Sequence, residues 1–69
     1  MPYASNDELP DRVRLHLPQH AQDIYRAAFN NAWPKYGPQG REAVAHRIAW
    51  AAVKRQFHKV GSEWVPLEA

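Results

Sequence analysis

Prolines at positions 18 and 34 bound a stretch in which aromatic and small apolar residues recur at intervals of three and four. At about 100° per residue, these side chains fall on one half of a helix, and polar residues such as Asp23 and Asn30 fall on the other half. Proline is tolerated at the start of a helix but not inside it, so a helix is expected to begin at Pro18, and Pro34 either kinks it or ends it at Trp33. Its apolar face comprises Ala21, Ile24, Tyr25, Ala28, Phe29, Ala32, Trp33 and Tyr36.

A shorter helix is predicted before this one. Ser5, Asn6 or Asp7 can cap its start, and Pro10 can occupy its first turn, where the missing N–H costs nothing. It should end near Leu17, because the next residue is a proline.

A third helix is predicted after the turn-rich connector PKYGPQG, from Gln39 or Arg41 to Phe57. Its inward residues include several alanines, which allow a neighbouring helix to come close. The predicted inward face comprises Ala45, Ile48, Ala49, Trp50, Ala52, Val53 and Phe57.

The segment that follows changes pattern. HKV and EWV flank a Gly-Ser pair at 61–62, which predicts a small hairpin. Because a lone hairpin is marginal in water, MPYA at the other end of the chain is a candidate third strand.

These elements predict a mainly α fold, a small array of three to four helices with a short terminal β-hairpin, in a single domain over residues 1–69. A chain this short buries only about 60% of its unfolded surface, so its three Trp, three Tyr and two Phe should serve the core. Absence of cysteine favours a reducing, cytoplasmic setting. The first ten residues lack a signal-peptide pattern, and the longest apolar run, IAWAAV, is too short to span a membrane.

Two strings then indicate a family: LPQHAQDIYRAAFNNAW at 17–33 and HRIAWAAVKRQF at 46–57. With MPY at the start, LP at 9–10 and a Trp in the final strand, they resemble the ChaB family of small bacterial cation transport regulators. The resemblance covers nearly the whole chain. It implies a small, mostly helical, non-enzymatic protein whose family name comes from a neighbouring gene for a sodium or calcium/proton antiporter. In the family the loop between the main helices is longer and acidic, whereas here PKYGPQGR has no acidic residue.

The residues give little support for a catalytic site or a metal site. His16 and His20 are four apart but separated by Pro18, and no cysteine or nearby carboxylate pair completes a ligand set, so no metal or other cofactor is expected. The two serines, Ser5 and Ser62, lack a glycine-framed nucleophile elbow, and the glycines are too scattered for a phosphate loop. We therefore expect that the protein is not an enzyme and has no catalytic residue.

The sequence leaves open the surroundings of His46 and of the pair Asn30 and Asn31. His46 is expected to be hydrogen-bonded and packed on an aromatic ring, with a pH switch as the alternative. Asn30 and Asn31 are poor helix formers, and they are expected to face water near a frayed helix end. The alternative is that they hydrogen-bond the connector or a partner.

Every charged residue between Ala43 and Ser62 is positive. A helical wheel of the third predicted helix places Arg47, Lys54 and His58 on one face, opposite the apolar residues. With an exposed aromatic, these cations make up the predicted binding surface: Arg47, Lys54, Arg55, His58, Lys59 and Trp64. The alternative is a solvated helix face whose cations favour the helix dipole.

The predicted function is therefore an accessory protein that docks on a membrane transporter, or on another acidic protein surface. The alternative is a small nucleic-acid-associated protein that uses the same cations on phosphates. Four cations support only weak, salt-sensitive binding to a polyanion, and no side-chain pattern reads bases. The residues are also consistent with a protein that assists stability or folding and has no fixed ligand.

Overall fold

The computed structural model describes residues 3–37 and 39–67. Within these residues the chain forms three α-helices and one antiparallel hairpin, which confirms the predicted fold class. The elements are α1 (Asp11–Arg14), α2 (Gln19–Ala32), α3 (Arg41–Gln56), β1 (Phe57–Val60) and β2 (Glu63–Pro66), with 3₁₀ turns at Asn6–Glu8 and Trp33–Lys35.

The first helix is shorter than the sequence predicts. A 3₁₀ turn at Asn6–Glu8 precedes Leu9, which is extended, and α1 has only four residues. Pro10 stands at the N-cap of α1 with φ −55° and ψ 150°, not in its first turn. Because proline pushes the residue before it out of helical geometry, Leu9 separates the two turns.

The two long helices begin and end close to their predicted limits. Pro18 is the N-cap of α2, and Trp33 already belongs to the following 3₁₀ turn. Gly40, with φ 75°, lies immediately before α3 in a left-handed conformation that favours glycine. The third helix ends one residue earlier than predicted, because Phe57 adopts φ −134° and ψ 153° and begins β1.

The core lies mainly between α2 and α3. Ala45 and Ala49 of α3 are buried in one core with Tyr25 and Phe29 of α2, and their small side chains allow the two helices to approach closely. Tyr36, which the wheel placed on the apolar face, is exposed because α2 ends before it. The buried residues are Leu9, Val13, Leu17, Ala21, Tyr25, Phe29, Ala32, Ala45, Ala49, Val53 and Phe57.

The hairpin forms at the predicted place. Val60 pairs with Glu63 around a two-residue turn, and Gly61 at its first position has φ 63°, which suits a type II′ turn. Phe57 is buried in the core, and the Leu67 N–H donates to the Gln56 carbonyl at 2.8 Å, so the helical array supports the hairpin. The suggested third strand is wrong for the described part of MPYA: residues 3 and 4 are not in a strand, and residues 1 and 2 lie outside the described residues.

Residues 3–6 instead cover the polar face of α2. The Asn30 side chain accepts from the Tyr3 N–H and donates to the Tyr3 carbonyl, both at 2.9 Å. Arg26 donates to the Ala4 carbonyl at 3.0 Å. The expectation that Asn30 faces water is therefore wrong: its amide holds a backbone segment, whereas Asn31 is exposed as predicted.

Candidate binding surface

The predicted surface begins on the outer face of α3. Arg47 and Lys54 lie seven residues apart, which places them on one side of the helix, and Arg55 follows in its last turn. All three are exposed. Among the described residues, none of the three has a carboxylate within 4.0 Å, so their charges are available to a partner.

The hairpin divides the rest of this surface. Because α3 ends at Gln56, His58 and Lys59 belong to β1, where neighbouring side chains point to opposite faces. The prediction that His58 shares a helical face with Arg47 and Lys54 is therefore wrong. Lys59 pairs with Trp64 across the hairpin, on the same face as the buried Phe57, and His58 pairs with Val65 on the other face.

Trp64 is half-buried instead of exposed. Its ring lies 5.7 Å from the Trp50 ring, at an interplanar angle of 35°. Trp50 in turn makes an edge contact with the buried Tyr25 ring at 5.3 Å. The two tryptophans therefore attach β2 to α3, and they leave part of their surface open.

That open surface is the floor of a cleft of about 200 Å³ between α1, the hairpin and α3. Lys59 and Trp64 contribute to it from the predicted surface. It is lined by Arg12, His16, Trp50, Lys59, Ser62 and Trp64. The surface predicted from the sequence did not include Arg12, His16, Trp50 or Ser62. The four-residue spacing of Arg12 and His16 was the one local signal for this site, because residues four apart in a helix are neighbours on its surface.

A separate polar contact is buried between α2 and α3. The Tyr25 hydroxyl and His46 Nδ1 form a hydrogen bond, and the His46 ring lies 4.7 Å from the Phe29 ring. This confirms a hydrogen-bonded histidine packed on aromatics. Burial raises the pKa of Tyr25 to about 12 and lowers the pKa of His46, although the nearby Glu42 carboxylate opposes the second shift.

The other histidines lie apart. His16 lines the cleft, whereas the His20 ring makes an edge contact with Phe57 at 5.9 Å. In residues 3–37 and 39–67, no group of three or more histidine, cysteine or acidic side chains could hold a metal ion. Across the same residues, no helix is long and apolar enough to cross a bilayer.

The fold and this surface define a small helical domain that ends in a hairpin and carries exposed cations beside an aromatic cleft. The family model described as ChaB matches residues 9–66. The chain therefore belongs to the ChaB family.

Named relatives agree with this assignment. The chain is 47% identical over 66 residues to the protein named "Putative cation transport regulator ChaB" in Escherichia coli K12, with 86% of this chain and 87% of the relative covered. The match to the protein of the same name in Shigella flexneri has the same identity and coverage. A solution NMR structure of a protein with this name superposes with a TM-score of 0.85 and 41% identity, and covers 97% of this chain and all of the other.

Proposed function

We propose that this protein is a non-enzymatic cytoplasmic accessory protein that regulates a cation transporter by binding to it. The partner is the cytoplasmic face of a sodium or calcium/proton antiporter, or another acidic surface of the transport system. The names of the relatives support a link with cation transport.

One observation carries the choice of surface: exposed cations without a carboxylate partner among the described residues. Arg47, Lys54 and Arg55 extend from α3 into solvent, and His58 lies beyond them on the outer face of the hairpin. An acidic partner would supply the missing counter-charges. Because all these side chains are solvated, the contact should be weak and sensitive to salt.

The test uses proteoliposomes that carry a purified calcium/proton antiporter from the same organism, with empty liposomes of the same lipid as the control. Labelled protein should float only with the vesicles that carry the antiporter. The variant Arg47→Gln, Lys54→Gln, Arg55→Gln should not float with them. The variant Arg47→Lys, Arg55→Lys keeps the charge and should still bind. Equal flotation with empty liposomes would contradict a protein partner.

The same cations leave a nucleic-acid partner as the competing function. A labelled mixed-sequence DNA duplex, followed by fluorescence anisotropy across a salt series, separates the two. Binding that falls steeply with salt and vanishes in the Gln variant would replace the transporter with DNA. We expect no binding at physiological salt.

A further inference from the structure

The cleft over Trp50 and Trp64 combines two features seldom found together on a surface, cations and open aromatic rings. Lys59 enters from β1 and Arg12 from α1, while His16 and the Ser62 hydroxyl complete the lining. Both serine and histidine can donate hydrogen bonds to an anion.

The charges of the cleft lack an internal partner in the described chain. Nearby arginines are paired: Arg14 with Asp11 at 2.7 Å, and Arg26 with Asp23 at 3.8 Å. Arg12 and Lys59 line one cleft, yet no described carboxylate lies within 4.0 Å of either. Two like charges that face one concave surface repel, and a bound carboxylate would relieve that repulsion.

A second cleft of about 290 Å³ adjoins the basic one and shares His16, Ser62 and Trp64 with it. Leu15, Leu17 and Pro18 line its other part. The Leu15 side chain is 67% exposed, the highest value among the exposed large apolar residues described. Glu63 also borders this second cleft, so its lining is partly polar, whereas Arg12 and Lys59 line only the first. An exposed apolar side chain, Leu15, therefore lies directly beside a cationic site.

We propose that these two clefts together bind a segment of a partner protein in which a carboxylate side chain stands beside a large apolar side chain. The carboxylate lies between Arg12 and Lys59, and the apolar side chain lies against Leu15 and Trp64. This proposal rests on the proposed function and names the kind of partner segment involved.

The shape of the clefts favours a peptide segment over a small molecule. Small-molecule sites usually have about 300–1,000 Å³ and bury most of their ligand, whereas each of these clefts is smaller and open to solvent. Two shallow sites side by side suit neighbouring side chains of one chain, whose backbone can remain in solvent. The second cleft, with Leu15 and the Glu63 carboxylate in its lining, also offers little to the phosphates of a nucleic acid.

The experiment is an NMR titration with the synthetic peptide acetyl-Glu-Phe-Glu-Leu-amide, in which the indole N–H signals of the three tryptophans are followed. Trp50 and Trp64 should shift, and Trp33, which lies beneath the Arg41 guanidinium at 4.2 Å, should not. The matched peptide with Gln in place of both Glu tests the charge, and inorganic phosphate tests whether any small anion suffices.

Three variants locate the site. The pair Arg12→Gln, Lys59→Gln should weaken binding roughly tenfold, because two solvated charge contacts are lost. Leu15→Ser should weaken it without changing the salt dependence. Lys35→Gln, at an exposed position in the 3₁₀ turn after α2, is the charge control and should leave peptide binding unchanged.

Absence of indole shifts at millimolar peptide would overturn the proposal, as would equal shifts with the Gln peptide or with phosphate. Its failure is distinct from failure of the proposed function. Antiporter flotation that survives Arg12→Gln, Lys59→Gln would overturn the cleft as the docking site and leave transporter binding intact. Peptide binding without antiporter flotation would uphold the cleft and overturn the proposed partner.

Discussion

Replacing Asn30 with Ala tests how the amino-terminal segment is held on α2. The Asn30 amide makes two hydrogen bonds with Tyr3, to its N–H and its carbonyl, each 2.9 Å long. The Tyr3 ring packs 4.7 Å from the Phe29 ring, so the segment that Asn30 fixes also covers part of the core. Loss of the amide leaves both Tyr3 backbone groups without their partner.

The expected loss follows from these contacts. Each hydrogen bond contributes roughly 0.5–1.5 kcal/mol, and Ala regains about 0.7 kcal/mol or less as a better helix former than Asn. The free energy of unfolding should therefore fall by about 1–2 kcal/mol. In a domain of this size, that corresponds to a melting temperature roughly 5–15 °C lower.

The assay is urea unfolding followed by tryptophan fluorescence, with thermal unfolding by circular dichroism as a second probe. Asn31→Ala is the matched control, because Asn31 is the exposed neighbour in the same helix. It should leave stability level or raise it slightly. Asn30→Asp keeps the acceptor for the Tyr3 N–H and loses the donor, so its loss should be intermediate. If Asn30→Ala is as stable as Asn31→Ala, the Tyr3 contact contributes nothing and the reasoning is refuted.

Further predictions concern the core, pH and the hairpin. Phe29→Ala should cost about 3–5 kcal/mol and largely unfold the protein by circular dichroism, and Trp33→Ala, at a half-buried position, should cost clearly less. Burial lowers the pKa of His46 below 6.5, so the unfolded state binds more protons there; its contribution to stability is complete above pH 6.5 and declines as pH falls below it. Urea unfolding at several pH values should show this decline in the free energy of unfolding, and the decline with falling pH should be smaller in His46→Gln. Gly61→Ala should destabilise the hairpin by about 1 kcal/mol in thermal unfolding, because the turn holds φ at 63°. An unchanged melting temperature would contradict that turn geometry.

Local rules predicted the helical part of the fold well. Pro18 and Pro34 mark the limits of α2, and the spacing of its apolar residues identified the side that Tyr25 and Phe29 bury. These features depend on a few neighbouring residues, so they can be read from the chain directly. Around Pro10 the sequence was less informative, because the extended Leu9 before this proline separates the 3₁₀ turn from α1 and leaves α1 only four residues.

Contacts between distant residues could not be predicted in this way. Asn30 contacts Tyr3, which lies 27 residues away in the sequence, and no residue near either of them indicates that contact. By propensity alone, an asparagine late in a helix is expected to face solvent. The tertiary contact overrides that preference, because the amide satisfies both polar groups of one backbone residue at once.

The binding surface was misjudged for a more specific reason, which is where α3 ends. Had the helix continued through Lys59, His58 would extend the face of Arg47 and Lys54, and one continuous cationic surface would result. Phe57 instead becomes extended and anchors β1 in the core, so successive side chains alternate between two faces. That single change turns His58 outward and brings Lys59 beside Trp64 and Arg12. Two separate cationic areas result, one on α3 at Arg47, Lys54 and Arg55 and one in the cleft at Arg12 and Lys59. Substitutions in either area test a different contact with the proposed partner.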